Sequence, residues 1–283
     1  MKIADTEKDL TPEQIAVAGN NPVYDFNAIL TFSGGNNEKV SNFSEALEIK
    51  IPYEAKSGEN PEMITVFFIN DKGELNNKAG RYDAAAKTIT FKTNHFSKYM
   101  IVNNSVRFED IADGFWGRPS IEALASKGII NGKSGKNYKP NDYVTRAEFA
   151  KMLTTTFGLV DGKASASFTD ADKSSWYYTY VASAVKTGII EGYKDGTFKG
   201  DKAVSREDMA VMAARVLKFA KADNTNQILN FRDKSDISGY ALEAVVNCTR
   251  YGIITGKPNN MMDPKGTATR AEAAAVIYRL YNY

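Results

Sequence analysis

The sequence predicts a multidomain fold: an N-terminal all-β sandwich followed by an all-α bundle of three helix–loop–helix repeats. Three observations lead there. Apolar residues alternate with polar ones between about residues 22 and 104, they recur at helical spacing beyond that point, and the second region repeats its own motifs at fixed intervals.

In the first region Leu47, Ile49 and Ile51 alternate with Glu48 and Lys50, and the run Ile64–Ile69 is rich in β-branched and aromatic residues. Residues 88–91 and 99–102 have the same character. Gly34 with Gly35, then Gly58, Gly73 and Gly80, punctuate these runs as turns. A small antiparallel β-sandwich over 22–104 follows, with residues 1–21 expected to be an incoming linker.

In the second region Phe108 with Asp110, Phe168 with Asp170 and Phe231 with Asp233 open three units, placed at 105–164, 165–227 and 228–283. Each then reaches a Gly-Ile-Ile triplet beginning at Gly128, Gly188 or Gly252, with Gly132, Gly192 and Gly256 four residues later. Thr145, Ser205 and Thr269 follow, each before an arginine that lies eighteen residues after the first glycine of its unit: Arg146, Arg206 and Arg270. Ile121, Leu124 and Ala125, like Val181, Ala184 and Val185, form an apolar stripe that stops at the glycine, the mark of a helix with a glycine C-terminus. A polar loop leads to the second helix, which the Thr or Ser caps. Glu148 or Glu272 three positions on completes a capping box. Each helix offers one apolar face, so three copies together close a core that none closes alone.

Composition narrows the function. The chain has 36 basic and 34 acidic residues, a net charge of +2, and no basic tail, which argues against a nucleic-acid partner. No stretch approaches a membrane span, and the N-terminal residues 1–14 lack the apolar run of a signal peptide. As written, the chain is expected to be soluble and to lack an export signal. A single histidine, His95, and a single cysteine, Cys248, leave little material for a metal site or a nucleophile–base pair. His95 is expected to pack at a strand end and Cys248 to be a buried thiol. No cofactor, no metal and no catalytic residue is predicted, because the acids fall at repeat-equivalent places.

The three units resemble the S-layer homology family in their F-x-D opening, the aromatic residue that follows, the G-I-I-x-G turn and the T-R-A-E helix start. The resemblance covers residues 105–283 and implies a pseudo-threefold bundle with grooves between repeats. It further implies binding to a secondary cell-wall polysaccharide linked to peptidoglycan, often with a pyruvate ketal on its terminal amino sugar. The expected setting is extracellular, in the cell wall or S-layer, with the isolated module monomeric and not inserted in a membrane. The β region is similar to a module that often precedes such repeats in Gram-positive surface proteins, through residues 51–53, 80–83 and 94–99.

Nine residues are candidates for polysaccharide binding. Arg146, Arg206 and Arg270 each place a cation at the positive end of a helix dipole, a local penalty kept in every copy. One explanation is that guanidinium and free helix N–H groups jointly face an anion, such as a ketal-linked carboxylate. The other is that the arginines pair with Asp110, Asp170 and Asp233 of a neighbouring repeat. With the resemblance added, ligand contact is favoured. Those aspartates are alternatively caps of the first helix, acceptors from sugar hydroxyls, or groups that orient the arginines. Trp116, Trp176 and Tyr240, each twelve residues before the first glycine of the triplet, are either sugar-stacking platforms or wedges between helices. Tyr193 is a further groove candidate.

The copies are unequal. The second has Ser205-Arg206-Glu207-Asp208 and Gly200 where the others have Pro140 and Pro264. The third has Tyr240 in place of tryptophan, and Met261 and Met262 in its loop. Unequal affinity at the grooves is expected. The rival to a wall-binding module is a protein-to-protein or lattice assembly module without direct glycan binding.

Overall fold

The computed structural model describes residues 2–3, 9–33, 35–40, 42–218 and 229–283. The predicted turn residue Gly34 and the repeat boundary after 227 lie outside them. The chain divides into two compact units: Met1–Arg107 with Glu122–Asn131, and Phe108–Ile121 with Gly132–Tyr283.

The first unit contains β1 (Lys2–Ile3), α1 (Pro12–Ala18), β2 (Val23–Asp25), β3 (Ala28–Thr31), β4 (Asn37–Val40), β5 (Asn42–Pro52), β6 (Ile64–Ile69), β7 (Leu75–Asn77), β8 (Arg81–Asp83), β9 (Thr88–His95) and β10 (Lys98–Asn103). One antiparallel sheet has the order β1-β2-β10-β6-β7 and a second has β5-β9-β8, while β3 and β4 form a separate hairpin. Tyr24, Ile64, Val66, Tyr99 and Ile101 from the first sheet pack against Ile51, Ile89 and Phe91 from the second. The two facing sides make the sandwich the alternation predicts, and the first sheet is apolar on its other side as well, where Val23, Ile69 and Met100 cluster. His95 closes β9: its carbonyl accepts from the Tyr99 hydroxyl at 2.7 Å, its ring packs on Phe68, and burial, then Lys78, lower its pKa.

Two sequence expectations are corrected in this unit. Residues 1–21 are not a plain linker, because Thr11 and Gln14 form a capping box, Pro12 opens α1, and Ala18 is buried with Val23, Ile69 and Met100. The boundary at 104/105 is also too simple. Helix α2 (Arg118–Ser126) has its last residues, from Glu122, in the first unit. There the amides of Asn77 and Asn104 donate to the Ser126 carbonyl at 2.8 and 2.6 Å, and Lys127 Nζ donates to the carbonyls of Ile64 and Gly80 at 3.0 and 3.3 Å. Helix C-terminal carbonyls need such donors, and strand-end side chains supply them.

The second unit is helical: α3 (Arg146–Thr156), α4 (Tyr178–Lys186), α5 (Arg206–Leu217), α6 (Leu242–Arg250) and α7 (Arg270–Asn282). Gly188 and Gly252 take φ of 75° and 68° after α4 and α6, the left-handed geometry that ends a helix without a Cβ clash. Thr145 and Thr269 cap α3 and α7 through complete capping boxes, while Ser205 caps α5 without the return bond, since Asp208 is one carbon shorter than glutamate. Phe149, Leu153, Met209, Ala213, Ala274 and Ile277 on these three helices are buried, as are Val181, Val245 and Cys248 on α4 and α6.

At the centre, the residue before each cap forms a closed ring. Val144 N–H donates to Ala268, Ala268 to Val204 and Val204 to Val144, each at 3.0 Å, and all three residues are fully buried. Fully paired backbone is what burial demands.

Candidate functional site

The construction of the site begins at the F-x-D aspartates. Asp110 accepts from the backbone N–H groups of Tyr138 and Lys139, Asp170 from Phe198 and Lys199, and Asp233 from Met262 and Asp263, at 2.7 to 2.8 Å. Lys139, Lys199 and Asp263 have φ of 62°, 56° and 53°, so each aspartate holds a non-glycine residue in the left-handed region. Burial raises the Asp233 carboxyl, but these backbone bonds outweigh it and keep it below its ordinary value. The phenylalanine of the same motif lies on the last glycine of the turn. A Cβ at Gly256 would meet the Phe231 ring at 2.7 Å, and one at Gly192 would strike Phe168.

Each stapled loop presents its carbonyls to the helix start of the preceding repeat, and the first repeat's loop serves the third. Arg146, Arg206 and Arg270 N–H groups donate to Lys202, Gly266 and Asp142, and the following N–H groups of Ala147, Glu207 and Ala271 donate to Gly200, Pro264 and Pro140. The capping side chain takes the third. The expectation of free helix N–H groups facing an anion is thereby corrected: protein acceptors use all three.

The arginines, 4 to 6% exposed, point along the same seams. Arg146 donates to the Phe198 carbonyl and to Asp208 at 3.1 and 3.3 Å, Arg206 to Met262 and Glu272 at 2.7 and 2.9 Å, and Arg270 to Tyr138 and Glu148 at 3.0 and 3.2 Å. Arg146 also stacks over Tyr193 and Arg270 over Tyr138. Each repeat thus grips the next, and the third grips the first. The acceptors are the carboxylates at the third helical position, not the F-x-D aspartates. A capping-box glutamate uses one oxygen for its own N-cap amide and the other for a neighbour's arginine. These counter-charges offset the penalty of a cation at a helix start.

Trp116, Trp176 and Tyr240 are 59, 56 and 63% exposed, so they are not interhelical wedges. Trp116 borders a cleft of about 440 Å³ with Arg206, Thr255, Gly256, Lys257 and Glu272. Tyr240 borders one of about 460 Å³ with Arg146, Gly192, Tyr193, Asp208 and Lys265. Both clefts are of the size that takes a small ligand. The aspartates Asp110, Asp170 and Asp233 line neither. An arginine, an aromatic ring and a neighbouring carboxylate therefore come together from three different repeats, while the F-x-D aspartates act one step behind.

In the Tyr240 cleft the departures of the second and third copies meet. Glu207, at the position of Ala147 and Ala271, is buried and accepts from Ser238 N and Oγ, from Tyr240 at 3.1 Å and from Lys265 at 2.7 Å. Burial raises its carboxyl, but these bonds, led by Lys265, hold it below its ordinary value. Sequence reading missed Glu207, the carboxylates of Asp208, Glu272 and Glu148 as arginine partners, and Arg215 and Arg279 on the cleft walls. Placing the three helix starts in register marks all of them, since they occupy equivalent positions. Among the described residues no group of three or more His, Cys, Asp or Glu is arranged to hold a metal, and no helix is long and apolar enough to cross a membrane.

Residues 107–150, 167–210 and 230–274 match the S-layer homology domain, and these three tandem segments belong to that family. The chain is 35% identical over 243 residues to an amylopullulanase of Thermoanaerobacterium thermosulfurigenes, covering 84% of this chain and 13% of that protein. It is 38% identical over 183 residues to exoglucanase XynX of Acetivibrio thermocellus, covering 64% of this chain and 17% of the relative. An S-layer protein of Bacillus thuringiensis subsp. finitimus matches at 30% over 171 residues, covering 60% and 21%. The chain thus spans less than a quarter of the length of these relatives. What proteins named as enzymes and as S-layer components share with it is a cell-surface anchoring module.

Proposed function

We propose that this chain anchors a larger exported protein to the cell wall by binding a secondary cell-wall polysaccharide, pyruvylated on an amino sugar, in the grooves between its repeats. The observation that carries the reading is the aligned aromatic position. One large ring stands in solvent in each of the three copies, and two of the three border a cleft floored by a buried arginine. An exposed flat ring beside hydrogen-bonding groups is how proteins bind a sugar's apolar face. The family match and the likeness to both an amylopullulanase and an S-layer protein support a portable anchor, with any catalysis in other parts of those proteins.

The test is sedimentation of the protein with isolated walls before and after extraction of the polysaccharide. Binding is expected to vanish on extraction. Retention would favour the rival reading, assembly through protein contacts alone.

A further inference from the structure

The hairpin of the first unit leaves one edge of β3 open. Backbone hydrogen bonds alternate in direction along an antiparallel strand. Phe32 N–H donates to the Asn36 carbonyl at 3.0 Å, in the register that sets Leu30 opposite Glu38 and Ala28 opposite Val40. The even-numbered residues of β3 therefore bond to β4. Ile29 and Thr31 turn their N–H and C=O groups to the other edge, where no strand among the described residues pairs with them. The side chains along that edge are apolar and stand in solvent, with Ile29, Leu30 and Phe32 64, 52 and 51% exposed. An unpaired edge of this kind is a template for another strand. The two edges of the hairpin differ in this respect. Exposed Glu38 and Lys39 guard the free edge of β4, whereas β3 carries no charge from Ala28 to Phe32.

We propose that β3 is a self-association edge, which pairs antiparallel with β3 of a second copy of this chain about a two-fold axis at Leu30. Two-fold symmetry requires the residue on the axis to face its own counterpart. With Leu30 there, Ile29 stands opposite Thr31 and Ala28 opposite Phe32, each pair occurring twice. The largest side chain then meets the smallest, two β-branched residues meet, and the outward N–H and C=O groups of Ile29 and Thr31 bond to one another across the seam. The neighbouring registers are poorer. An axis at Thr31 sets Ile29 against Ser33, beyond the end of β3, and an axis at Ile29 sets Phe32 against Phe26, which is buried in the sandwich. A seam of one short strand is smaller than the roughly 1,200 Å² of a stable complex, so the dimer is weak and reversible. This pairing replaces the expectation of a monomeric module and does not depend on the anchoring reading. Paired copies bring two sets of repeats to one patch of wall, where each tether raises the effective concentration of the other.

Sedimentation equilibrium of the full chain, from the micromolar to the millimolar range, is expected to show a reversible dimer. Thr31→Pro removes an outward N–H that β4 does not use, and weakens association roughly tenfold or more. Lys39→Pro makes the same change at the β4 edge and leaves association unaltered. Both variants are expected to keep the circular dichroism spectrum of the parent. Cross-linking reads the register without altering the backbone. Leu30 opposite its counterpart is a pair without mutual hydrogen bonds, with Cα atoms about 4.5 Å apart, which a disulfide spans. Ile29 lies two rows from its counterpart, beyond that reach. The native Cys248 is buried and does not compete. Under mild oxidation Leu30→Cys is expected to form a covalent dimer at least roughly tenfold faster than Ile29→Cys. A monomer throughout the concentration range, association that survives Thr31→Pro or falls equally in Lys39→Pro, or equal cross-linking of the two cysteine variants overturns the proposal. If Thr31→Pro loses its fold, the cross-linking comparison decides.

Discussion

The Tyr240 hydroxyl lies 2.9 Å from Oδ1 of Asp208 and 3.1 Å from Oε1 of Glu207, bridging two residues that open α5. Its pKa is pushed up by burial and then by those carboxylates, so it remains a donor throughout the neutral range. Three apparent irregularities of the repeats, tyrosine for tryptophan, glutamate for alanine and aspartate for glutamate, are one interaction. Tyr240→Phe is expected to lower the stability of the helical unit by about 1 kcal/mol, the usual worth of such a bond. Urea denaturation followed by tryptophan fluorescence checks it, since Trp116 and Trp176 are the chain's two tryptophans and both lie in that unit.

Arg270→Ala is expected to cost about 3 kcal/mol, because it leaves Glu148 and the Tyr138 carbonyl without their donor in a buried seam. Loss of wall binding in such a variant would report unfolding as readily as a lost contact. Denaturation curves distinguish them: a shift of the midpoint by less than about 0.5 kcal/mol equivalent would show that the seam does not hold the repeats.

Trp116→Ala has the opposite signature. The ring is mostly in solvent, so stability is expected to change by less than about 0.5 kcal/mol, while polysaccharide binding falls. Sedimentation with walls and a melting curve on the same sample decide it. A large drop in melting temperature would make the ring a packing element after all.

Asp170→Ala removes the acceptor for Phe198 and Lys199 N–H and releases a left-handed lysine, with an expected loss of about 2 kcal/mol. Hydrogen exchange at those two amides should rise before any other change is seen. Unaltered protection would remove the aspartate from the loop's support.

The two units should respond in opposite directions to alkali. Burial pushes Lys127 down to about 8 from 10.5, so above pH 8 the folded first unit sheds a proton that the unfolded chain keeps, and its stability rises toward pH 10.5. Burial pushes the Cys248 thiol up to about 12 from 9.0. Above pH 9 the unfolded chain loses that proton and the folded second unit holds it, so stability present below pH 9 declines. Denaturation at pH 7.5 and 10, read by tryptophan fluorescence for the second unit and by far-ultraviolet dichroism for both, tests the divergence. Lys127→Met and Cys248→Ala should each flatten one of the two trends.

The sequence was most legible where local rules govern. Capping at Thr145 and Thr269 and the helix ends at Gly188 and Gly252 need only neighbouring residues, and the structure has them. The arginine partners were harder to see because the acceptors, a backbone carbonyl and a carboxylate for each arginine, lie 52 to 132 residues away. The repeat itself held the missing signal. A carbonyl at position 138 recurs at 198 and 262, and a helix start that binds one of them binds its equivalent. The helix α1 was misjudged because a seven-residue amphipathic segment is short for periodicity, although Thr11, Pro12 and Gln14 spell its start.

The closed ring through Val144, Ala268 and Val204 fixes the valence of the assembly. An open solenoid adds or loses copies at its ends with a modest change in stability, because each copy meets only its neighbours in a row. Here every copy is both donor and acceptor, and the last returns to the first, so there is no end at which a fourth can attach. Removing 228–283 would strand the Val144 amide, the Val204 carbonyl and the guanidinium of Arg206 at once. Three is therefore a stoichiometric requirement of the helical unit, and it should melt as one cooperative body whose smallest functional dose is the full set.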